Sequence, residues 1–233
     1  KAVQRDIENI KIYASMVAFY LKYNPVQKAE RVVLKAVETN PDSELAYILK
    51  GHFYTNQSDF DNAEKAYLLA IKTEKNVSRS YLILARLYEK AQQRPKALEA
   101  YTKASEAEPD NLSIKNLIAR FYFESQEVEK SLALIDQMLK QRPGYYPARL
   151  LKAEVLLSQK AFKEVLPLLE SLEKDEPSSF VVHYFKGLYL AAHNKTESAK
   201  SSIVRSLELN PRFVKAHLLL SNLFLSEKSY DLA

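Results

Sequence analysis

Four histidines, His52, His183, His193 and His217, are the residues best suited to metal or acid–base chemistry. His183 and His217 stand 34 positions apart. If they occupy equivalent places in neighbouring stacked units, about 10 Å of helix-to-helix spacing separates them. A shared zinc needs both nitrogens about 2.0–2.1 Å from the metal. Their ladder reads Tyr13, Tyr47, Tyr81, Lys115, Arg149, His183, His217, which is a packing position rather than a ligand set. His52 and His193 have no carboxylate or second histidine at ligand spacing. The chain has no cysteine, which removes thiolate nucleophiles, disulfides and zinc ribbons. No glycine-rich phosphate loop, GxSxG or HExxH pattern is present. Acidic residues alternate with lysines at helical spacing, as at Glu170, Glu173 and Lys174, and describe a solvated face rather than paired catalytic carboxylates. No catalytic residue, metal or cofactor is assigned, and the chain reads as a non-enzyme.

The elements that position these residues follow from composition and period. Of 233 residues, 47% are hydrophobic and 27% charged, enough for a sizeable core, while 3 glycines and 9 prolines are too few for an all-β fold with frequent turns. The sequence repeats every 34 residues. Prolines fall at 41, 109, 143, 177 and 211, with Lys75 in the one vacancy. Small residues fall at Val17, Gly51, Ala85, Ala119, Ala153, Gly187 and Ser221, and again at Ala29, Ala63, Ala97, Ser131, Val165, Ala199 and Ala233. Bulky residues occupy Tyr20, Tyr54, Tyr88, Tyr122, Leu156, Leu190 and Phe224. Within one unit, Tyr81, Leu84, Ala85, Leu87 and Tyr88 recur at helical spacing, and a second amphipathic stretch follows a polar break at 92–95.

The unit Tyr81-x2-Leu84-Ala85-x2-Tyr88, Ala97-x3-Tyr101-x2-Ala104, Pro109 resembles the tetratricopeptide repeat, and Gly51, Tyr54, Ala63, Tyr67 and Ala70 repeat the match. The resemblance covers the whole chain. It implies an all-α fold, a right-handed superhelical solenoid of antiparallel A and B helices, and the two amphipathic stretches per unit match that element pattern. One array over 1–233 is expected, with full repeats at 10–43, 44–77, 78–111, 112–145, 146–179 and 180–213. Residues 1–9 fit the end of a preceding B helix and 214–233 a partial repeat, as in a piece of a longer solenoid. The A helices are expected at 10–23, 44–57, 78–91, 112–125, 146–159, 180–193 and 214–227. Pro167 falls inside a B helix and predicts a kink or a late start. The uninterrupted array, lysine-rich composition and lack of cysteine are also similar to long bacterial proteins of this family, including envelope lipoproteins of exopolysaccharide-export systems. That likeness would imply a periplasmic rather than a cytoplasmic location.

Charge argues against a nucleic-acid partner. The net charge of +5 comes from 34 basic and 29 acidic residues, but it is not one-sided: 44–77 and 146–179 are each −1, and the most basic unit, 180–213, is +3 from five basic and two acidic residues. A phosphate-tracking surface needs a continuous basic stripe. No apolar run approaches the roughly 20 residues of a membrane span.

The resemblance implies that the second, fifth, sixth, ninth, twelfth and thirteenth residues of each unit line a concave groove. Some members grip chaperone C-terminal carboxylates with lysine, asparagine and arginine there. This chain instead has Ala14, Ala18, Leu49, Arg79 and Ile83, so that ligand is not expected. Units two to four offer a polar, mildly basic lining, His52, Asn56, Arg79, Arg86, Asn116 and Arg120. Units five to seven offer Leu150, Leu157, Tyr184, Leu188, Leu218 and Leu225, with Asn222 among them. This row reads either as a binding platform or as packing between adjacent units. The expected function is a protein-interaction scaffold holding a peptide or helix of a partner in the groove, with Tyr184→Asp weakening binding and leaving melting nearly unchanged. The alternatives are a structural module that self-associates through its ends or groove, and an accessory unit to chemistry elsewhere in a parent chain.

Overall fold

The computed structural model describes residues 2–23, 25–73 and 77–226. Among them are thirteen α-helices and no strand. After α1 (Ala2–Lys22) and α2 (Val26–Thr39), the A helices are α3 (Glu44–Asn56), α5 (Ser78–Lys90), α7 (Leu112–Glu124), α9 (Tyr146–Ser158), α11 (Phe180–Ala192) and α13 (Val214–Ser226). The B helices between them are α4 (Phe60–Thr73), α6 (Arg94–Ala107), α8 (Val128–Gln141), α10 (Phe162–Asp175) and α12 (Thr196–Leu209). From α3 to α11 each A helix ends one residue before the bound expected from the sequence, and the expected end of α13 at 227 lies outside the described residues. No helix is long and apolar enough to cross a membrane among the described residues.

Two turns, repeated with the period, set the helix ends. After α3, α5, α7, α9 and α11 the chain passes through a left-handed residue, Ser58, Gln92, Gln126, Lys160 and Asn194 in turn, with φ between 55° and 63°. The following amide donates five residues back, as Asp59 to the Tyr54 carbonyl at 3.0 Å and Ala161 to the Leu156 carbonyl at 2.9 Å. This is the Schellman closure, here without glycine. The B-to-A junction is a β-turn with the ladder proline second: the Ser43 amide donates to the Asn40 carbonyl at 3.1 Å, and Asn111, Tyr145, Ser179 and Phe213 repeat the bond at 3.0–3.1 Å. Proline's fixed φ suits that place. The vacancy at Lys75 lies outside the described residues.

Two expectations are corrected. Residues 2–9 are not the end of a separate helix, because α1 runs unbroken from 2 to 22. The proline ladder places Ile7, not proline, one period before Pro41, so nothing there ends a helix. Of the two effects expected of Pro167, the late start does not occur, since α10 starts at Phe162 in register with the other B helices and carries the proline inside. The Lys163 carbonyl loses its amide partner, while Val165, Leu169 and Leu172, all at 0% exposure, hold the helix against its neighbours.

Packing falls into two compact units, residues 1–114 and 115–233. The sequence reading gave one array, and the 34-residue register continues through the boundary. In both units the A helices touch one another as well as their B partners, α1 with α3, and α9 with α11 and α11 with α13. The A layer is therefore the tighter side. At the A–B seams, partner sizes are reciprocal: Val17 is paired in register with Val33, Gly51 with Tyr67, Ala85 with Tyr101, Ala119 with Ile135, Ala153 with Leu169, and Gly187 with Ile203. All the large partners are buried. Ile12, Met16 and Phe19 on α1, with Tyr23 just past its end, form an exposed apolar stripe, although Ala46 and Phe53, one period beyond Ile12 and Phe19, are buried.

Tyrosine–glutamate bonds join successive repeats in residues 1–114. Tyr54 donates to Glu30 at 3.1 Å and Tyr88 to Glu64 at 2.7 Å, and Lys96 lies over the Tyr88 ring and bonds Glu64. Burial, then the hydrogen-bonded and charged Glu64, pushes the Tyr88 phenol up; burial also raises Tyr54 and Tyr67. An unfolded tyrosine ionises near pH 10, so the unfolded chain loses these protons first. Their stabilisation is complete below about pH 10 and is lost as pH rises through the higher folded values. Phenolate absorbance should show a late-ionising class in native protein that merges with the rest in urea and shrinks in Tyr88→Phe. Identical native and unfolded titrations would contradict this.

Candidate functional site

The second unit carries an apolar cavity of about 410 Å³ on its A-helix layer. Helical spacing assembles it. Glu154, Leu157 and Ser158 share one face of α9, and Tyr184, Leu188 and Ala192 share one face of α11. Phe123 closes it from the last turn of α7, Phe162 from the first residue of α10, and Lys160 and Lys215 lie on its rim. The aromatic walls are themselves packed. Tyr184 meets Phe213 edge-on at 5.0 Å, and Phe162 meets His193 at 4.7 Å and Tyr189 at 5.8 Å.

The polar group in the wall is Glu154, which accepts from Arg120 at 3.0 Å. Arg120, Glu154 and Leu188 are successive members of one 34-residue ladder, so the bond joins the same position on adjacent A helices. Burial, and then the Glu154 charge, raises the Tyr184 phenol. The phenol therefore stays protonated as a neutral donor at the cavity wall.

Of the residues nominated from sequence, Leu157, Tyr184 and Leu188 come together in this cavity. With Leu150 they are half-buried against the core of Ala153, Leu156, Val165, Leu169, Leu172, Val182 and Phe185, so the row is partly packing and partly cavity wall. Leu150 does not line it. Leu218 and Leu225 are 61% and 46% exposed, and Asn222 is exposed; none of the three lines it. Arg120 is held by Glu154 rather than free to meet a ligand. In the first unit, Arg79, Arg86 and Asn56 are exposed. The exposed His52 ring accepts or donates at 3.0 Å with the Tyr67 hydroxyl, and burial of its nitrogen followed by the Arg79 charge lowers its pKa. Asn116 is half-buried, and its Oδ1 has no hydrogen-bond partner among the described residues.

Sequence reasoning missed Phe123, Glu154, Phe162, Ala192, Lys160 and Lys215. A signal existed for Glu154: arginine followed one period later by glutamate on a groove ladder is the pattern of a lateral ion pair. The paired histidines have a structural role. His183 Nε2 lies 2.9 Å from the Pro177 carbonyl and His217 Nε2 lies 2.8 Å from the Pro211 carbonyl, tying each A helix to the turn before it. Among the described residues no group of three histidine or acidic side chains is placed to hold a metal ion.

Two family models, both for the tetratricopeptide repeat, match the sequence, one at residues 90–142 and 122–188 and the other at 45–76, together more than half of the chain. Structures of similar fold include a tetratricopeptide repeat protein from Parabacteroides merdae ATCC 43184, at 16% identity and TM-score 0.72, over 95% of this chain and 88% of that one. Yeast Tom70 is similar at 16% identity and TM-score 0.72, over 94% of this chain and 47% of its own. YrrB, a repeat protein with an unusual peptide-binding site, is similar at 16% identity and TM-score 0.52, over 80% of this chain and 96% of its own. These identities speak to the fold. No curated protein sequence matches the chain.

Proposed function

Because this chain belongs to the tetratricopeptide repeat family, we propose that it is a non-catalytic protein-interaction scaffold whose second unit seats a segment of a partner protein on the A-helix layer. The cavity walled by Leu157, Tyr184 and Leu188 carries this reading. Ligand sites are concave, mostly apolar and supplied with a few oriented polar groups; this one has an aromatic lining, the Tyr184 hydroxyl and a glutamate already neutralised by Arg120. The peptide-binding site of YrrB lends support, since a helix-pair array of this kind holds a peptide there.

The test is a selection from a displayed peptide library on the whole chain, repeated on Ala192→Trp. Ala192 is exposed and lines the cavity, so an indole there fills the space while deleting no buried contact. Peptides enriched on the native protein should fail on Ala192→Trp, and the two proteins should melt alike. Peptides that bind both equally, or no enrichment on either, would overturn the reading.

A further inference from the structure

We infer that the occupant of this cavity is a single large apolar side chain on an extended segment that carries a carboxylate on each side of it. The inference rests on the scaffold reading and names its ligand. The lining along α11 runs from Tyr184 to Ala192, eight residues and so about 12 Å at 1.5 Å per residue. A trough of that length and about 410 Å³, near the low end for ligand pockets, takes one anchor side chain and not the whole apolar face of a helix.

The charges at its two ends supply the rest. Lys215 is the second residue of α13 and Lys160 follows the end of α9. Within the second unit α9, α11 and α13 each follow an intervening antiparallel B helix and so run in the same direction, which puts Lys215 towards the Tyr184 end of the trough and Lys160 towards the Ala192 end. Both are exposed, and neither has an ion-pair partner among the described residues. Lys152, Lys186 and Lys200 of this unit are paired, with Asp136 at 2.7 Å, Glu173 at 2.7 Å and Glu197 at 3.0 Å; what sets Lys160 and Lys215 apart from the remaining lysines is that they line the cavity. Glu154, the carboxylate of the wall, is neutralised by Arg120. The trough is therefore mainly apolar, with one carboxylate already paired to Arg120 and a lysine at each end. An extended chain advances about 3.3 Å per residue, so carboxylates two residues before and after the anchor span the roughly 12 Å between those ends. A free C-terminus would supply only one of them.

The probe is the peptide Gly-Ser-Glu-Ser-Phe-Ser-Glu-Ser-Gly with fluorescein on its N-terminal amine through a neutral spacer and an amidated C-terminus, titrated with the whole chain by anisotropy. Lys-flanked and Ala-centred versions serve as comparisons. The Glu-flanked Phe peptide should bind at least about tenfold more tightly than either, with an advantage over the Lys-flanked peptide that shrinks as salt rises. Lys160→Glu and Lys215→Glu should each weaken it, and the double variant should prefer the Lys-flanked peptide. Both positions are exposed, so unchanged circular dichroism identifies variants that fold normally. Equal binding of Glu- and Lys-flanked peptides, binding indifferent to the lysine reversals, or no binding of the Glu-flanked peptide would each overturn the inference. The scaffold reading would survive those results if library peptides still distinguish native protein from Ala192→Trp, and would fall only if they do not.

Discussion

Gly51→Val is expected to destabilise the protein by about 3 kcal/mol, the upper end for overpacking a tight core, read as a lowered urea midpoint. A Cβ on Gly51 would sit inside the van der Waals envelope of the Tyr67 ring, with Cζ at 2.6 Å. The ring has nowhere cheap to go. Tyr67 is 2% exposed, and its hydroxyl is tied to His52 Nδ1 at 3.0 Å and Thr55 Oγ1 at 3.1 Å. At Gly187 the nearest neighbour is instead the flexible end of Ile203, so the same change there should cost less. The chain contains the compensated form of the seam, since Val17 and Val33 occupy the equivalent places, both buried. Gly51→Val combined with Tyr67→Val should therefore lose less than the sum of the two single losses, by a coupling of about 1–3 kcal/mol. Strict additivity would show that the two side chains do not compete for one space.

Tyr184→Asp is expected to weaken binding of peptides selected on the native protein by thirtyfold or so, since the losing substitution at a buried aromatic contact costs about 2 kcal/mol or more. Melting falls as well. The sequence reading, with Tyr184 simply facing a groove, gave a nearly unchanged melting temperature; the structure replaces that expectation. Tyr184 is half-buried against the second unit's core and meets Phe213 at 5.0 Å, a pair worth about 0.5–1.5 kcal/mol beyond its area. The new carboxylate would also sit where burial and Glu154 already disfavour negative charge on the phenol. A loss of about 1–2 kcal/mol lowers the melting temperature of a chain this size by several degrees. Tyr184→Phe keeps the ring and introduces no charge, so it should leave melting close to native. If Tyr184→Asp binds normally, the tyrosine is packing alone; if it melts like the native protein, the ring contact with Phe213 contributes nothing.

Much of the architecture was written locally. A helix needs only its own apolar period, and its ends need only nearby turn residues. The prolines at 41, 109, 143, 177 and 211 each stand second in a β-turn, and from α3 to α11 the A helices stop one residue from where the period placed them. The left-handed turns at Ser58, Gln92, Gln126, Lys160 and Asn194 were harder to read, because no glycine marks them. The Schellman bond and the packing on either side hold them there.

The sequence by itself determined that the chain is a 34-residue helical repeat, because that depends only on rise and rotation along a single helix, while the resemblance to the repeat family nominated the groove residues. It did not determine which of those residues meet. Leu157 and Leu218 both occupy nominated groove positions, yet one walls a cavity and the other is 61% exposed. Arg120 occupies a nominated groove position as a cation, yet it is paired with Glu154, one period away. Convergence depends on how each A helix turns and tilts against the next, set by the sizes meeting at the seams, such as Gly187 with Ile203. Those are differences of a few ångströms between side chains 16 or 34 positions apart, and only the packed tertiary structure decides them.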